Sequence, residues 1–115
     1  MWPSKWLRIE SELPQLLAEC RGLRGQAWAY STSHGQMLVR FYRDGSLAGV
    51  YLYCMSCDFV QFQSSWLDAD VRVEISKGRY GQVYTITDGD RLRIVCGAAF
   101  LAESPDLVRL QEPSI

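Results

Sequence analysis

Two cysteines form the motif in this sequence that most directly suggests chemistry. Cys54 and Cys57 are separated by two residues, a spacing at which two thiolates can share a tetrahedral zinc ion. Strand-forming residues flank the motif, so both thiolates would point into a bend between two strands. A complete site needs two more ligands, for which Cys96 is the first candidate and Cys20 or His34 the second. None of these forms another closely spaced pair, so zinc is an alternative rather than the leading interpretation.

The same cysteines also fit a structural role. Cys54 shares a predicted strand face with Leu52, and Cys96 shares one with Ile94, so both are expected to be small apolar core residues. A redox dithiol of the thioredoxin type lies at a helix N-terminus, which lowers one thiol pKa, whereas predicted strands flank this motif. We therefore favour core cysteines, with structural zinc and then redox chemistry as the alternatives.

No other motif points to catalysis. His34 is the only histidine and lies in a predicted turn, without a neighbour in sequence that would make it a general base. The chain contains no G-x-S-x-G, no phosphate-binding loop and no H-E-x-x-H. Gly78 and Gly81 have a G-x-x-G spacing, but without flanking helices this pattern indicates a hairpin turn rather than an RNA clamp. The sequence predicts no catalytic residue and no cofactor.

Arginine and tyrosine alternate at the positions of the predicted strands that face away from the core. Such a surface can grip a peptide or stack bases, and it also forms ordinary cross-strand pairs on an exposed sheet. No lysine accompanies these arginines and the net charge is −1, so a protein or small-molecule partner fits better than nucleic acid. The outward-facing residues are Arg40, Tyr42, Tyr51, Tyr53, Gln61, Gln63, Arg72, Glu74, Arg91 and Arg93.

Tryptophans add a second set of candidate contact residues. The chain has four, which is many for 115 residues. Trp2 and Trp6 lie near the start of the chain, where they can dock on this protein, on a second copy or on another partner. Trp66 lies in the connection between two predicted strands, where it could plug the open end of a curved sheet or line a small cavity.

Composition limits the class of protein. With 48% hydrophobic and 22% charged residues, the chain has the composition of a folded globular domain and not of a disordered one. Its length suits a single domain over residues 1–115. Near-neutral charge argues against a non-specific polyanion binder. No secretory signal or membrane span is evident, so we expect a cytoplasmic protein with reduced thiols.

The elements that would position these residues are one helix and a series of strands. Leu13, Leu16, Leu17 and Cys20 follow helical spacing, with Ser11 as the N-cap. Beyond them the hydrophobic period becomes two, and two Asp-Gly pairs are strong hairpin signals. Because short turns join antiparallel neighbours, we expect a meander. The predicted strands span 26–33, 36–43, 47–54, 58–63, 70–76, 82–87 and 91–96.

These patterns predict an α+β fold, in which an N-terminal helix packs on a strongly curved antiparallel meander of six to seven strands. A short C-terminal helix could follow Ser104. We favour a small non-catalytic binding or interaction domain that binds a protein partner or itself, because no catalytic constellation is evident. The alternatives are a zinc-stabilised domain, and a carrier or enzyme with a pocket inside the curved sheet near Trp66.

Overall fold

The computed structural model describes residues 13–45 and 49–104, which form one short helix and seven strands. The described part of the chain is therefore mostly β with one short helix, so the predicted α+β class is confirmed only in its antiparallel sheet. All pairs among the described strands are antiparallel, and these strands form an open sheet. The elements are α1 (Leu13–Glu19), β1 (Arg24–Ser31), β2 (Gln36–Tyr42), β3 (Gly49–Phe62), β4 (Ser65–Trp66), β5 (Arg72–Gly78), β6 (Gly81–Asp88) and β7 (Leu92–Ser104).

Helix α1 buries one side against the sheet. Its Leu13 and Leu17, four residues apart on one helix face, are fully buried in the main core. The helix has seven residues, and no helix within the described segments is long and apolar enough to cross a membrane. The predicted N-cap Ser11, and Trp2 and Trp6 before it, lie outside the described residues.

The strand order corrects the predicted meander. The order across the sheet is β4-β1-β2-β3-β7-β6-β5, so two three-stranded meanders are joined through β3 and β7. These are the two longest strands, with 14 and 13 residues, so each is the only partner long enough to pair with the other over its whole length. Strand β4 crosses to the outer side of β1 and forms one edge, while β5 forms the other.

The C-x-x-C motif does not lie between two strands, as the sequence suggested, but within the continuous strand β3. Ser56 has a positive φ of 55°, and the register with β7 shifts between Cys57 and Phe59. The left-handed backbone at Ser56 breaks the alternation between residues 54 and 57, which therefore lie on the same face of the sheet, and the register shift then breaks it again between Cys57 and Phe59. Strand period alone cannot reveal a bulge of this kind.

The sheet curves so that its concave face encloses the main core. Trp66 lies in the edge strand β4, whereas Asp88 ends β6, next to the opposite edge. The indole nitrogen of Trp66 nevertheless donates a 2.8 Å hydrogen bond to Asp88 Oδ2. A flat sheet would hold these residues several strand spacings of about 4.8 Å apart, so the contact requires strong curvature.

The last strand is longer than predicted. Residues 97–104, which the sequence left as a tail, continue β7 and pair with β3. The helix considered after Ser104 lies outside the described residues. Alternation in the predicted strand 70–76 puts Val71, Val73 and Ile75 on one face, yet Ile75 is exposed near the far end of the edge strand β5, whereas Val71 is buried.

Candidate functional site

The three cysteines considered as metal ligands do lie together on the concave face. Cys57 is directly opposite Cys96 across the β3–β7 pair. The Cys57 thiol interacts with that of Cys96, and the Cys96 thiol also interacts with that of Cys54. All three thiols contribute to the main core.

This environment keeps two of the thiols protonated. The hydrogen bond to Cys96 and then burial raise the pKa of Cys57 far above that of a free thiol. The hydrogen bond to Cys54, with burial, raises the pKa of Cys96. Because the thiolate is both the nucleophile and the metal ligand, these thiols have the character of core residues.

The other candidate ligands lie elsewhere. Cys20 is buried after α1, and its sulfur contacts the Leu16 carbonyl oxygen. His34 lies in the exposed β1–β2 turn, where Nδ1 is within hydrogen-bond distance of the Ser31 and Ser33 hydroxyls. Within residues 13–45 and 49–104, no group of three His, Cys, Asp or Glu side chains is arranged to hold a metal ion. The zinc hypothesis therefore stays a prediction without a completed ligand set.

The predicted Arg and Tyr face divides into two halves with different environments. On β2 and the first half of β3, Arg40, Tyr51 and Tyr53 are buried rather than solvent-exposed, and Tyr42 is half-buried. Tyr51 and Tyr53 join Leu38 and Ala29 in a second apolar cluster on the convex face. Both faces of this part of the sheet are therefore covered, which corrects the expectation of one wet face.

The other half of the convex face is open. Across β3, β7, β6 and β5, directly opposed residues form two straight rows of side chains. Most of these side chains are exposed, and the remainder are half-buried. The first row is Phe59, Val95, Thr85 and Glu74, and the second is Gln61, Arg93, Thr87 and Arg72. We call these eight residues the open face.

Two predicted contact residues have structural roles instead. Trp66 is buried, and a Cβ atom built on Gly25 would lie 2.4 Å from its ring, so the indole packs directly on the β1 backbone. Arg91 forms a 2.6 Å ion pair with the buried Asp88. Arg91 also donates hydrogen bonds to the carbonyl oxygens of Leu67 and Asp68, and thereby holds the loop that follows Trp66.

Described residues line two of the grooves on the surface. The larger, of about 500 Å³, lies where β6 diverges from β7 and is lined by Ser56, Asp58, Arg79, Tyr80 and Cys96 among others. The smaller, of about 260 Å³, lies between Arg24, Asp44 and the 67–68 loop. Neither groove corresponds to the pocket predicted inside the sheet near Trp66, because the Trp66 indole fills that space and is hydrogen-bonded to Asp88.

Sequence reasoning missed three residues that matter here. Asp88 was treated only as half of a turn signal, Trp28 was assigned no role, and Phe59 was part of an unremarkable strand. An aspartate at a turn gives no sign that it will be buried, since Asp-Gly pairs are common in exposed hairpins. Phe59 is exposed because of the bulge in β3, and no sequence pattern predicted that bulge.

No protein-family description, curated protein or solved structure matches this chain.

Proposed function

We propose that this protein is a small non-catalytic interaction domain and that its partner at the open face is a second copy of the same chain. The observation that carries the proposal is the pair of side-chain rows on four neighbouring strands, which no described residue covers. Regular secondary structure holds these side chains in place, so the surface is preorganised.

The chemistry of the open face suits association between copies. Phe59 is 45% exposed at one end of the first row, and an exposed aromatic ring is a typical interface anchor. Arg93 and Glu74 carry opposite charges two strands apart. Neither forms an ion pair with another described residue. A face that carries both charges can be complementary to itself, as a two-fold interface requires.

The size of the face sets the expected strength. Four strands span about 14 Å between the outermost strand axes, which is narrow for a permanent interface. We therefore expect a transient dimer with a dissociation constant of roughly 10⁻⁵ to 10⁻³ M. The net charge of −1 produces little repulsion between copies.

Sedimentation equilibrium over a wide protein concentration range tests the proposal. We expect a reversible monomer–dimer equilibrium that Phe59→Asp weakens at least tenfold, because the substitution buries an unpaired charge in the contact. Leu67→Asp is the matched control, since Leu67 is equally an exposed apolar residue but lies outside the open face. A monomer at every concentration, or equal effects of both substitutions, would contradict the proposal.

A further inference from the structure

The covered half of the convex face contains an unusual group of polar atoms. Gln26, Arg40 and Tyr51 are directly opposed on β1, β2 and β3, so their side chains form one row. Among the residues that the structure describes, the buried atoms Gln26 Oε1, Arg40 Nε and Tyr51 OH each lack a hydrogen-bond partner, as does the neighbouring Trp28 Nε1. Buried polar atoms are nearly always paired, so four unpaired ones on neighbouring residues call for a physical explanation.

The charge of Arg40 makes the group more unusual. Arg40 is only 9% exposed, and it forms no ion pair with any described carboxylate. A buried cation without a counter-charge is costly, which is why buried arginines are normally paired. Its contacts are aromatic instead: the guanidinium carbon lies 3.8 Å from the centre of the Tyr42 ring and 4.9 Å from that of Trp28.

Aromatic stacking orients Arg40 for a further partner. Rings that contact the flat face of a guanidinium leave its N–H groups, which lie in the plane, free to donate. Tyr51 adds a hydroxyl donor, because burial raises its pKa to about 12 and keeps it protonated despite the nearby Arg40. The Trp28 ring packs edge-on against Tyr51, with 6.5 Å between centroids, so its indole N–H belongs to the same group.

The backbones of β2 and β3 approach closely beside these donors. A Cβ atom on Gly49 would lie 3.1 Å from the Phe41 carbonyl oxygen, 3.7 Å from the Tyr51 ring and 3.8 Å from Arg40 Cγ. A side chain at position 49 would therefore crowd the strands beside Arg40 and Tyr51. Gln26, Trp28 and Tyr42 are only partly buried, so the group lies just beneath the surface.

We propose that Arg40, Trp28 and Tyr51 form a binding site for a carboxylate, which pairs with the guanidinium and accepts hydrogen bonds from the indole and the phenol. A carboxylate is planar, carries one negative charge and matches the donor fork of arginine. The site is separate from the open face and shares none of its residues, so either proposal can fail without the other.

Nuclear magnetic resonance of the indole N–H signals tests the site directly. The chain has four tryptophans, and the Trp28→Phe variant identifies the signal of Trp28. Sodium acetate is titrated against sodium chloride at constant ionic strength, with acetamide as the neutral molecule of the same shape. We expect acetate to shift the Trp28 signal saturably, while acetamide leaves it unchanged. No saturable shift, or an equal shift with acetamide, would overturn the proposal.

Two arginine variants extend the test. Arg40→Lys keeps the charge but loses the planar fork, so we expect acetate binding to weaken at least about tenfold. Arg93→Lys makes the same change on the open face and should leave binding unaltered. Equal binding by the Arg40→Lys and wild-type proteins would contradict the site. If Arg40→Lys does not fold, the comparison of acetate with acetamide on the wild-type chain still tests whether the site binds a carboxylate.

A pair of blocked peptides distinguishes the source of the carboxylate. One contains a single aspartate, and its counterpart contains asparagine at that position. Tighter binding of the aspartate peptide than of acetate would identify an acidic protein side chain as the ligand. Tighter binding of acetate would identify a free carboxylic acid. Equal binding of the two peptides, with no effect of acetate, would exclude a carboxylate site.

Discussion

The indole nitrogen of Trp66 donates a 2.8 Å hydrogen bond to Oδ2 of Asp88, and this bond joins two strands near opposite edges of the sheet. Asp88 is buried, and it also accepts hydrogen bonds from the backbone N–H of Asp70 and from Arg91. A single carboxylate therefore fixes the curvature of the sheet and the loop between β4 and β5.

We expect Asp88→Ala to lower the free energy of unfolding by about 3–5 kcal/mol, because it leaves Arg91 and the Trp66 indole without their buried acceptor. Asp90→Ala changes an exposed aspartate in the same turn and should cost less than about 0.5 kcal/mol. Urea unfolding of both variants measures the difference. Similar losses would show that Asp88 does not hold the sheet together.

The contact between Gly25 and Trp66 predicts a specific packing defect. A methyl group at position 25 would overlap the indole, so Gly25→Ala should destabilise the fold by about 1–3 kcal/mol. In a Trp66→Leu background the same substitution should cost much less, since the ring is gone. A double-mutant cycle by chemical denaturation measures this coupling, and additive effects would refute the close approach.

The thiol pair predicts a loss of stability at alkaline pH. The pKa values of Cys57 and Cys96 are raised in the folded state, so the folded protein retains protons that the unfolded chain releases above about pH 8.5. Their stabilising effect is complete below that pH and declines as pH rises further, by at most about 1.4 kcal/mol per pH unit for each thiol. The partial exposure of Cys57 reduces its share.

Urea unfolding between pH 7 and pH 10 measures this decline. The Cys57→Ala/Cys96→Ala variant should show a shallower decline than the wild-type chain over the same range, because it has lost both thiols. Parallel pH profiles would mean that these thiols titrate normally in the folded protein.

Chelation tests the zinc alternative. Hydrogen bonding between protonated thiols requires no metal, so we expect EDTA to leave the urea midpoint of the freshly purified protein unchanged. Native mass spectrometry of the same sample measures bound metal. One zinc ion per chain, whose removal unfolds the protein, would instead establish a site on Cys54, Cys57 and Cys96.

Hydrophobic period and turn residues anticipated much of the sheet. Alternation correctly placed Ile94 and Cys96 in the core, and the Asp-Gly pair at 88–89 marked the turn between β6 and β7. These features are local, since they depend on neighbouring residues along one strand. The described residues form seven strands, as predicted, but two of the predicted strands are one continuous β3 and the short β4 was not predicted.

Features that depend on distant residues were not anticipated. The pairing of β3 with β7 joins segments about 40 residues apart, and no local pattern encodes it. Tyr51 and Arg40 alternate with core residues as exposed residues would, yet a second cluster buries them. Alternation identifies which residues share a face, but it does not tell whether something covers that face.

Sedimentation equilibrium of two charge-reversed variants, alone and mixed, tests the proposed interaction domain most directly. Glu74→Arg leaves only positive charge on the open face, and Arg93→Glu leaves mainly negative charge beside Arg72. We predict that each variant alone associates more weakly than the wild-type chain, and that an equal mixture regains association. If the wild-type chain is monomeric, and the mixture of the two variants has the same monomeric mass as each variant alone, the result would contradict association through this face.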